Sequence, residues 1–294
     1  MANSMASYIK SKKRRKRISA GWVFVYTVMI ALVAFTALPL VYVVCTAFKP
    51  IDELLRYPPR FFVRNPTLQN FWDLLIALSG TVVPFTRYIF NSLFTVSITV
   101  FFTVILSSMG AYALVKFKLP GTKWIFPVIL AALMFSAHVT QIPTYMIVNG
   151  MGIINTYWAL IIPKLASAYS FFLMKQFIEQ FPNELLESSR IDGANEWTIF
   201  WKILMPSLKP AWSTLVVFSF VGNWNDYFSP LIFISSEAMK TLPLALQTIS
   251  GGASIARAGA TSAATFLMTM PTIIIFTIMQ SKVLETMVHS GIKA

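Results

Sequence analysis

Six apolar runs, each long enough to cross a lipid bilayer, constrain this 294-residue chain more than any other feature. A membrane-spanning helix needs roughly 20 apolar residues to cross the ~30 Å hydrocarbon core. Hydrophobic residues make up 56% of the chain and charged residues 12%, against about 25% charged in ordinary soluble domains. Because lipid offers backbone groups no hydrogen-bond partner, each run must be helical. The prediction is an all-α polytopic membrane protein with spans at Trp22–Phe48, Tyr88–Leu114, Trp124–Val148, Tyr157–Phe177, Ala211–Ile234 and Ala264–Val288.

The basic residues indicate the orientation of these spans. A net charge of +13 would suggest a nucleic-acid partner in a soluble protein, but beside hydrophobic spans it marks the cytoplasmic side. With the N-terminus inside, sixteen Lys and Arg residues fall in the cytoplasm and seven outside. The first apolar run exceeds the ~7–15 residues of a secretory-signal core. We therefore expect an uncleaved anchor, with both termini in the cytoplasm and no nucleic-acid partner.

The predicted domain organisation is a basic cytoplasmic tail over residues 1–20 and a transmembrane domain over 21–294. Outer loops are expected at about 49–87, 149–156 and 235–263, and a long cytoplasmic loop at about 178–210. No internal repeat is visible, whereas secondary transporters often contain paired halves. The six spans are therefore expected to pair with another chain. The single cysteine, Cys45, allows no intrachain disulfide.

Prolines occur in or near most of the predicted spans. Proline removes a helical hydrogen bond and tends to kink the helix that contains it. Kinks suit a protein that rocks between two states, although static membrane helices contain them too. The prolines concerned are Pro39, Pro127, Pro143, Pro163, Pro230 and Pro271.

The loop at 178–210 is a polar island between hydrophobic runs. Asn183 is predicted to cap a short helix, with Glu184 beside its positive end, and Gly193 allows a sharp turn. A second short apolar helix follows, and Pro206 and Pro210 are expected to end it. The pattern favours a folded docking element for a partner protein, and the alternative is a solvated connection between helices.

This loop resembles the cytoplasmic coupling loop of ABC importer permeases. Two serines stand where that family often has alanines, and Met205 replaces its usual leucine; both changes keep the side chains similar in size. The resemblance implies a coupling helix between the fourth and fifth spans. The residues that the resemblance assigns to ATPase coupling are Glu187, Ser188, Ser189, Asp192, Gly193, Ala194, Phe200, Ile203 and Pro206.

The resemblance extends from about residue 20 to 290 and is nearest to the carbohydrate branch, in particular the smaller maltose-type permease. Short segments occur in the family's order, among them Gly152–Trp158, Trp224–Tyr227 and Thr241–Leu244. At Met134–His138 the chain departs from the pattern, since the family usually has a proline near position 136. This departure bears on the bend of the third span.

The resemblance also implies the partners and the location. They are a second similar permease, two cytoplasmic ATP-binding subunits, a solute-binding protein outside the membrane and a saccharide, with the outer loop at about 235–263 touching the binding protein. The setting is a bacterial cytoplasmic membrane. This chain would bind no cofactor, because ATP and Mg²⁺ belong to the partner subunits and no G-x-x-x-x-G-K-[ST] phosphate loop occurs here. It is expected to be a non-catalytic permease subunit.

Polar residues inside the predicted spans are the candidates for a substrate path. Ionisable groups in a membrane are costly and face a cavity or a partner, and Asp226 is the one acid predicted well within a span. Amides, carboxylates and aromatic faces bind sugars, although the same groups could form a structural network between helices. His138 and Lys164 are expected to hydrogen-bond between helices or to reach toward the interface. The path candidates are Asn223, Trp224, Asn225, Asp226 and Tyr227, with Gln141, Tyr145 and Asn91 as weaker ones.

Two alternatives remain at the level of sequence. The importer could carry another solute, such as an acidic sugar or a phosphorylated polyol, which the basic first outer loop would suit. A stand-alone channel or secondary carrier is the alternative from a different class. It would need ion-coupling residues inside the spans, and one acid without a repeat argues against it. The two histidines, His138 and His289, lie far apart, so no metal or nucleophile site is predicted.

Overall fold

A computed structural model describes residues 20–79, 83–117, 120–250 and 258–291. The predicted basic tail, apart from Ala20, lies outside these ranges. The described residues contain helices and no strand. The helices are α1 (Ala20–Ala47), α2 (Ile51–Leu54), α3 (Gln69–Ser79), α4 (Phe85–Lys116), α5 (Thr122–Leu133), α6 (Ala137–Gly150), α7 (Tyr157–Leu165), α8 (Ala168–Glu179), α9 (Asn183–Ile191), α10 (Glu196–Ser207), α11 (Lys209–Trp224), α12 (Phe228–Phe233), α13 (Leu242–Ser250) and α14 (Ala258–Gly291).

Three of the described helices are long and apolar enough to cross a membrane alone. They are α1, α4 and α14, and they match the predicted first, second and sixth spans. Bent pairs of helices bring the number of candidate spans to as many as six. The all-α class is confirmed, but the third, fourth and fifth spans are not the continuous helices that the sequence predicted.

The breaks in these spans do not fall on the prolines. Helices α5 and α6 meet at 113° across residues 134–136, and α7 and α8 meet at 41° across residues 166–167. The predicted fifth span ends early, at Trp224, and resumes as α12 after residues 225–227. Pro127, Pro143 and Pro163 all lie inside helices. The three breaks lie at residues 134–136, 166–167 and 225–227, none of which is a proline.

Helix α4 lies at the centre of the fold. It packs against α7, α8 and α11, and its inward face carries a row of small buried hydroxyl residues. Small side chains let membrane helices approach closely. On the same helix, a Cβ on Gly110 would lie 3.0 Å from the Phe171 ring of α8. The buried row is Ser92, Thr95, Thr99, Thr103 and Ser107.

The outer loops contain more helix than the sequence predicted. The loop expected at about 49–87 includes α3, and the loop expected at about 235–263 includes α13, whose Leu242, Leu244 and Leu246 are buried. An apolar segment of nine residues is too short to span a bilayer, so it was assigned to a loop. Residues 251–257, in the predicted flexible part of that loop, lie outside the described residues.

Candidate functional site

A cavity of about 610 Å³ opens between α6, α7, α11 and α12. Its volume falls within the roughly 300–1,000 Å³ typical of small-molecule sites. Hydroxyl, amide and aromatic side chains supply much of the wall. The polar and aromatic lining consists of Thr103, His138, Gln141, Thr144, Lys164, Ser167, Tyr169, Ser170, Phe218, Ser219, Asn223, Asp226, Phe228, Ser229 and Phe233.

An ion pair between Lys164 and Asp226 lies in the wall of this cavity. The Lys164 Nζ donates to Asp226 Oδ2 at 2.5 Å, and the two side chains are 25% and 19% exposed. The other carboxylate oxygen, Oδ1, accepts from the backbone N–H groups of Phe228 and Ser229 at 3.0 and 3.1 Å. The Asp226 side chain therefore binds the first turn of α12 and links it to Lys164 of α7. Lys164 forms the bond between helices that the sequence predicted for it.

Three of the eight predicted path residues line the cavity: Asn223, Asp226 and Gln141. A fourth, Tyr145, stacks on the lining residue Phe233 with ring centroids 6.3 Å apart. Asn223 also donates from its amide to the Ser219 carbonyl at 2.6 Å. These residues, though separated in sequence, share one wall.

The other predicted path residues lie elsewhere. Trp224 is 2% exposed, stacks on Phe220 and donates from Nε1 to the Met268 carbonyl at 2.9 Å. Asn225 bonds back to the Val221 carbonyl, and Tyr227 packs edge-on against Phe228. Within the cluster at 223–227, these three residues do not line the cavity.

Asn91 belongs to a network at the outer end of α4. Its side-chain amide donates to the Ala238 and Lys240 carbonyls at 2.9 and 2.8 Å, and its oxygen accepts from the Tyr157 hydroxyl at 2.7 Å. Nearby, Asn155 Oδ1 accepts from the backbone of residues 235 and 236. These bonds hold the segment between α12 and α13 against α4 and α7.

Several cavity residues had no signal in the sequence. Ser167, Ser219 and Ser229 are small hydroxyl residues inside apolar runs, where they also commonly bond back to the helix. Thr103 belongs to the four-residue periodicity of α4, which suggests close packing as readily as a lining role. The breaks between α7 and α8 and between α11 and α12 place these hydroxyl groups around the same cavity.

The coupling loop has a buried inner face. Leu186 on α9 and Ile199, Phe200 and Leu204 on α10 are at most 3% exposed. They pack in one cluster with Val104, Ala111, Tyr112, Met174 and Ile178 of α4 and α8. Phe200 was predicted to take part in ATPase coupling, but its side chain is covered by this chain. It anchors the loop to the membrane helices.

The opposite face of the loop is exposed and partly apolar. Ile191 is 86% exposed, Trp197 61% and Trp201 44%. Glu187, Ser188, Asp192, Gly193 and Pro206 are exposed too, whereas Ser189, Ala194 and Ile203 are partly buried. The hydroxyls of Ser188 and Ser189 both bond back to the Leu185 carbonyl. Most of the residues assigned by the resemblance thus share one surface.

Gly193 forms the turn between α9 and α10 with a φ of +85°. Its N–H donates to the Arg190 carbonyl, and the N–H of Ala194 donates to the Ser189 carbonyl, both at 3.0 Å. A left-handed residue with these bonds is a common helix C-terminus and favours glycine. The predicted sharp turn is present. Pro206, in contrast, does not end the second helix: it lies within α10, which ends at Ser207 before a 78° bend into α11.

A group of hydrogen bonds, called here the polar latch, joins the loop to the C-terminal end of α4. The Tyr112 hydroxyl donates to Glu196 Oε2 at 2.6 Å, and Arg190 Nε donates to Glu196 Oε1 at 2.8 Å. One turn further along α4, Lys116 Nζ donates to the Phe181 carbonyl and to Asn183 Oδ1, both at 2.8 Å. Asn183 was predicted to cap α9, but the cap position is Pro182 and the Asn183 side chain bonds to Lys116 instead.

The charge state of the latch follows from its hydrogen bonds. The bond from Arg190 is the main cause that holds the pKa of Glu196 below its ordinary value, although partial burial opposes it. A carboxylate with a lowered pKa stabilises the fold above its unfolded-state pKa and loses that contribution as the pH falls. The Arg190–Glu196 pair is therefore present throughout the neutral range.

A family profile matches residues 103–285, the region that contains both the cavity and the coupling loop. Its description is "Binding-protein-dependent transport system inner membrane component". The chain belongs to this family. It is an ABC transporter permease, a multi-pass inner-membrane component. Among the residues that the structure describes, no cluster of three His, Cys, Asp or Glu side chains could hold a metal ion.

The permease has relatives that match over most of their length. A putative ABC transporter permease protein, ORF2, of Caldicellulosiruptor sp. is 31% identical over 98% of this chain and 99% of its own. The lactose transport system permease protein LacG of Rhizobium radiobacter is 31% identical over 78% of this chain and 77% of its own.

The fold has a counterpart among solved structures. A chain of a bacterial ABC transporter involved in the import of the acidic polysaccharide alginate superposes with a TM-score of 0.77. The match covers 90% of this permease and 97% of the other chain, at 21% sequence identity. At that identity the likeness extends to the fold of the permease and not to its cargo.

Proposed function

We propose that this permease forms half of the translocation path of an ATP-driven, binding-protein-dependent importer for a saccharide, in particular an oligosaccharide. The observation that carries the proposal is the cavity between α6, α7, α11 and α12. Its hydroxyl, amide and aromatic groups suit a polyhydroxylated ligand, and a relative with 31% identity is named for lactose transport. The cavity adjoins helices that also contact the coupling loop.

The partners follow from the proposed role. A second permease completes the path, two cytoplasmic ATP-binding subunits bind ATP and Mg²⁺, and an outer solute-binding protein delivers the saccharide. This chain has a non-catalytic role, and its termini lie in the cytoplasm. The exposed face of α9 and α10, with Ile191, Trp197 and Trp201, is the surface proposed to enter a groove on the ATPase.

The proposed mechanism passes motion from the loop to the cavity through α4. When the ATPase dimer closes, it moves the coupling loop, and the latch at Tyr112 and Lys116 pulls the cytoplasmic end of α4 with it. Thr103, two to three turns away on the same helix, lines the cavity. The permease would then have two conformations, each with its own ATPase contacts and its own cavity shape. ATPase closure can shift the equilibrium between them only if its contacts differ in free energy between the two conformations.

The test compares two glycine variants in the complete transporter reconstituted in liposomes with its binding protein. Gly193 and Gly152 both have positive φ, +85° and +69°, and a Cβ at either would meet no atom within 4 Å. Alanine at either position costs about 1–2 kcal/mol of backbone strain. We expect saccharide-stimulated ATP hydrolysis to fall severalfold in Gly193→Ala and to stay near wild type in Gly152→Ala.

Equal losses in the two variants would argue that backbone strain in general, and not the coupling loop, limits the activity. Stimulation by a phosphorylated polyol but by no saccharide would overturn the saccharide assignment. Solute flux through this chain alone, without ATP, would replace the importer with a channel.

A further inference from the structure

The cavity wall carries two formal charges, and they neutralise each other. Among the described residues that line it, Lys164 and Asp226 are the only ones other than His138 that can be charged near neutral pH. Their side chains form the 2.5 Å ion pair. The formal charges that Lys164 and Asp226 bring to the wall of this chain therefore cancel.

Both oxygens of the Asp226 carboxylate already accept hydrogen bonds within this chain. Its Oδ2 accepts from Lys164, and its Oδ1 accepts from two backbone N–H groups, those of Phe228 and Ser229. The pair thus supplies hydrogen bonds at the break between α11 and α12. It offers a cargo molecule neither an unmatched ammonium nor an unmatched carboxylate.

Three basic residues of the predicted outer loops also have partners within this chain. Lys49 is 3% exposed, donates to the Arg60 carbonyl and lies over the Tyr42 ring. Arg87 donates to the Ala238 carbonyl and the Tyr157 hydroxyl, and Lys240 pairs with Glu237. The basic character that would suit an anionic cargo is therefore used, at these three positions, to hold the fold together.

An anion that entered this site would lose hydration without gaining a counter-charge from this chain. Removing a charge from water is costly unless it is paired and hydrogen-bonded. A neutral saccharide loses only hydroxyl–water bonds, and Gln141, Asn223 and the wall hydroxyls can replace them. We propose that the Lys164–Asp226 pair is a specificity determinant that selects uncharged saccharides over uronates and sugar phosphates, a refinement that rests on the proposed function.

The experiment measures binding to the complete transporter complex, without the solute-binding protein, so that the selectivity of that protein does not enter. The ligands are the neutral saccharide that stimulates ATP hydrolysis best and its C6-oxidised uronate, which has the same length and stereochemistry. Wild type should bind the neutral ligand at least about tenfold more tightly than the uronate, the scale of one missing charge contact in a partly screened site.

Three variants change the charge of the wall in steps. Asp226→Asn keeps an oxygen for the N–H groups of Phe228 and Ser229 and leaves Lys164 positive, so its affinity for the uronate should rise about tenfold. Lys164→Gln leaves the carboxylate and should give no such gain. The double variant is neutral again and should return to the wild-type preference. If the affinity for the uronate follows the net charge of the wall and not the number of substitutions, the pair selects by charge. A general disturbance of the fold would instead weaken binding most in the double variant.

Each contrary outcome is distinct. If wild type binds the uronate as well as the neutral saccharide, the inference is wrong and the saccharide importer stands. If Asp226→Asn assembles and gains no affinity for the uronate, the pair does not determine specificity. If no saccharide of either kind stimulates ATP hydrolysis with the binding protein present, the proposed function itself fails, and the inference with it.

Discussion

A single phenol hydroxyl connects the central helix of this permease to its coupling loop. Tyr112 is 5% exposed and donates to Glu196 on α10, 84 residues further along the chain. Arg190 of α9 holds the same carboxylate from the other side. Glu196 therefore joins both loop helices to α4. We expect Glu196 to position the loop relative to α4.

Replacing Tyr112 by Phe removes this bond and keeps the ring that packs near Phe200. A hydrogen bond of this kind contributes about 1 kcal/mol, so we expect a slightly lower thermal unfolding midpoint. We also expect a lower ratio of transport to ATP hydrolysis, because the loop would move without carrying α4 fully. Both quantities can be measured on the reconstituted complex.

The matched control is Tyr57→Phe, since Tyr57 is 92% exposed in the first outer loop. It should change neither the midpoint nor the ratio. A lower midpoint in Tyr112→Phe with an unchanged ratio would mean that the bond stabilises the fold but does not transmit motion.

The residues of the coupling motif could be located from sequence because they are close together. Gly193 turns as its place in the motif predicted. Glu196 could not be assigned a role, because its partner Tyr112 lies in a different span. For the same reason Asp226 was predicted as a possible cargo ligand, and only the folded chain places Lys164, 62 residues away, on its carboxylate.

At the scale of elements, α10 is a helix with two opposed surfaces. Its middle, Ile199–Leu204, is π-helical, a geometry that is often found at functional sites. Ile199, Phe200 and Leu204 face the membrane helices, while Trp197 and Trp201 face away. One face anchors the helix, and the other is proposed to dock the ATPase.

Two substitutions on α10 should have separable effects. Leu204 is fully buried, so Leu204→Ala leaves a cavity that costs about 2–5 kcal/mol, and the loop should become sensitive to protease at residues 192–195. Trp197→Ala on the exposed face should cost less than about 1 kcal/mol, leave protease resistance unchanged and weaken ATPase assembly. Limited proteolysis and co-purification measure the two effects.

If Trp197→Ala retained full ATPase assembly, the exposed apolar face would not be the docking surface. If both variants lost protease resistance, the exposed face would also contribute to the stability of the loop, and the two effects would not be separable.

The sequence predicted those helices whose existence follows from the length of an apolar run. α1, α4 and α14 are uninterrupted, and their existence followed from the apolar runs alone. The break at Met134–Ser136 was missed because these residues differ little in hydropathy from their surroundings. Asn225–Tyr227 is polar, but a short polar segment inside an apolar run can remain helical, and the Lys164–Asp226 contact that accompanies this break is visible only in the folded chain. α13 was missed because it is buried by its neighbours and too short to span.

At the scale of the whole molecule, the structure is one side of a larger assembly. The described helices that can span alone differ in how far this chain covers them. In the most apolar 18-residue stretch of α1, none of the residues is buried, whereas 44% of the residues in the equivalent stretch of α4 are buried. α1 packs mainly along α14. The cavity is open on one side, as expected if a second permease completes it.

The proposed orientation can be tested with single cysteines. Cys45 is the only native cysteine, so a Cys45→Ser background is free of thiols. Ser188→Cys on the exposed face of α9 should react with a membrane-impermeant maleimide only from the cytoplasmic side. Tyr57→Cys in the first outer loop should react only from the opposite side. Labelling of right-side-out and inverted vesicles measures both.

Reversed labelling of the two cysteines would invert the topology that the distribution of basic residues predicts. Protection of Ser188→Cys when the ATPase subunits are added would place those subunits on the same side and near the loop.

The Lys164–Asp226 pair also has a consequence for the order in which the protein is made. Ribosomes add about 5–20 residues per second, so Lys164 is synthesised about 3–12 s before Asp226, 62 residues later. During that interval the fourth span carries an ammonium whose counter-charge does not yet exist, and an unpaired charge in a bilayer is costly. Stable insertion of the fourth span is therefore completed only with the fifth, which makes these two spans a single unit of membrane biogenesis.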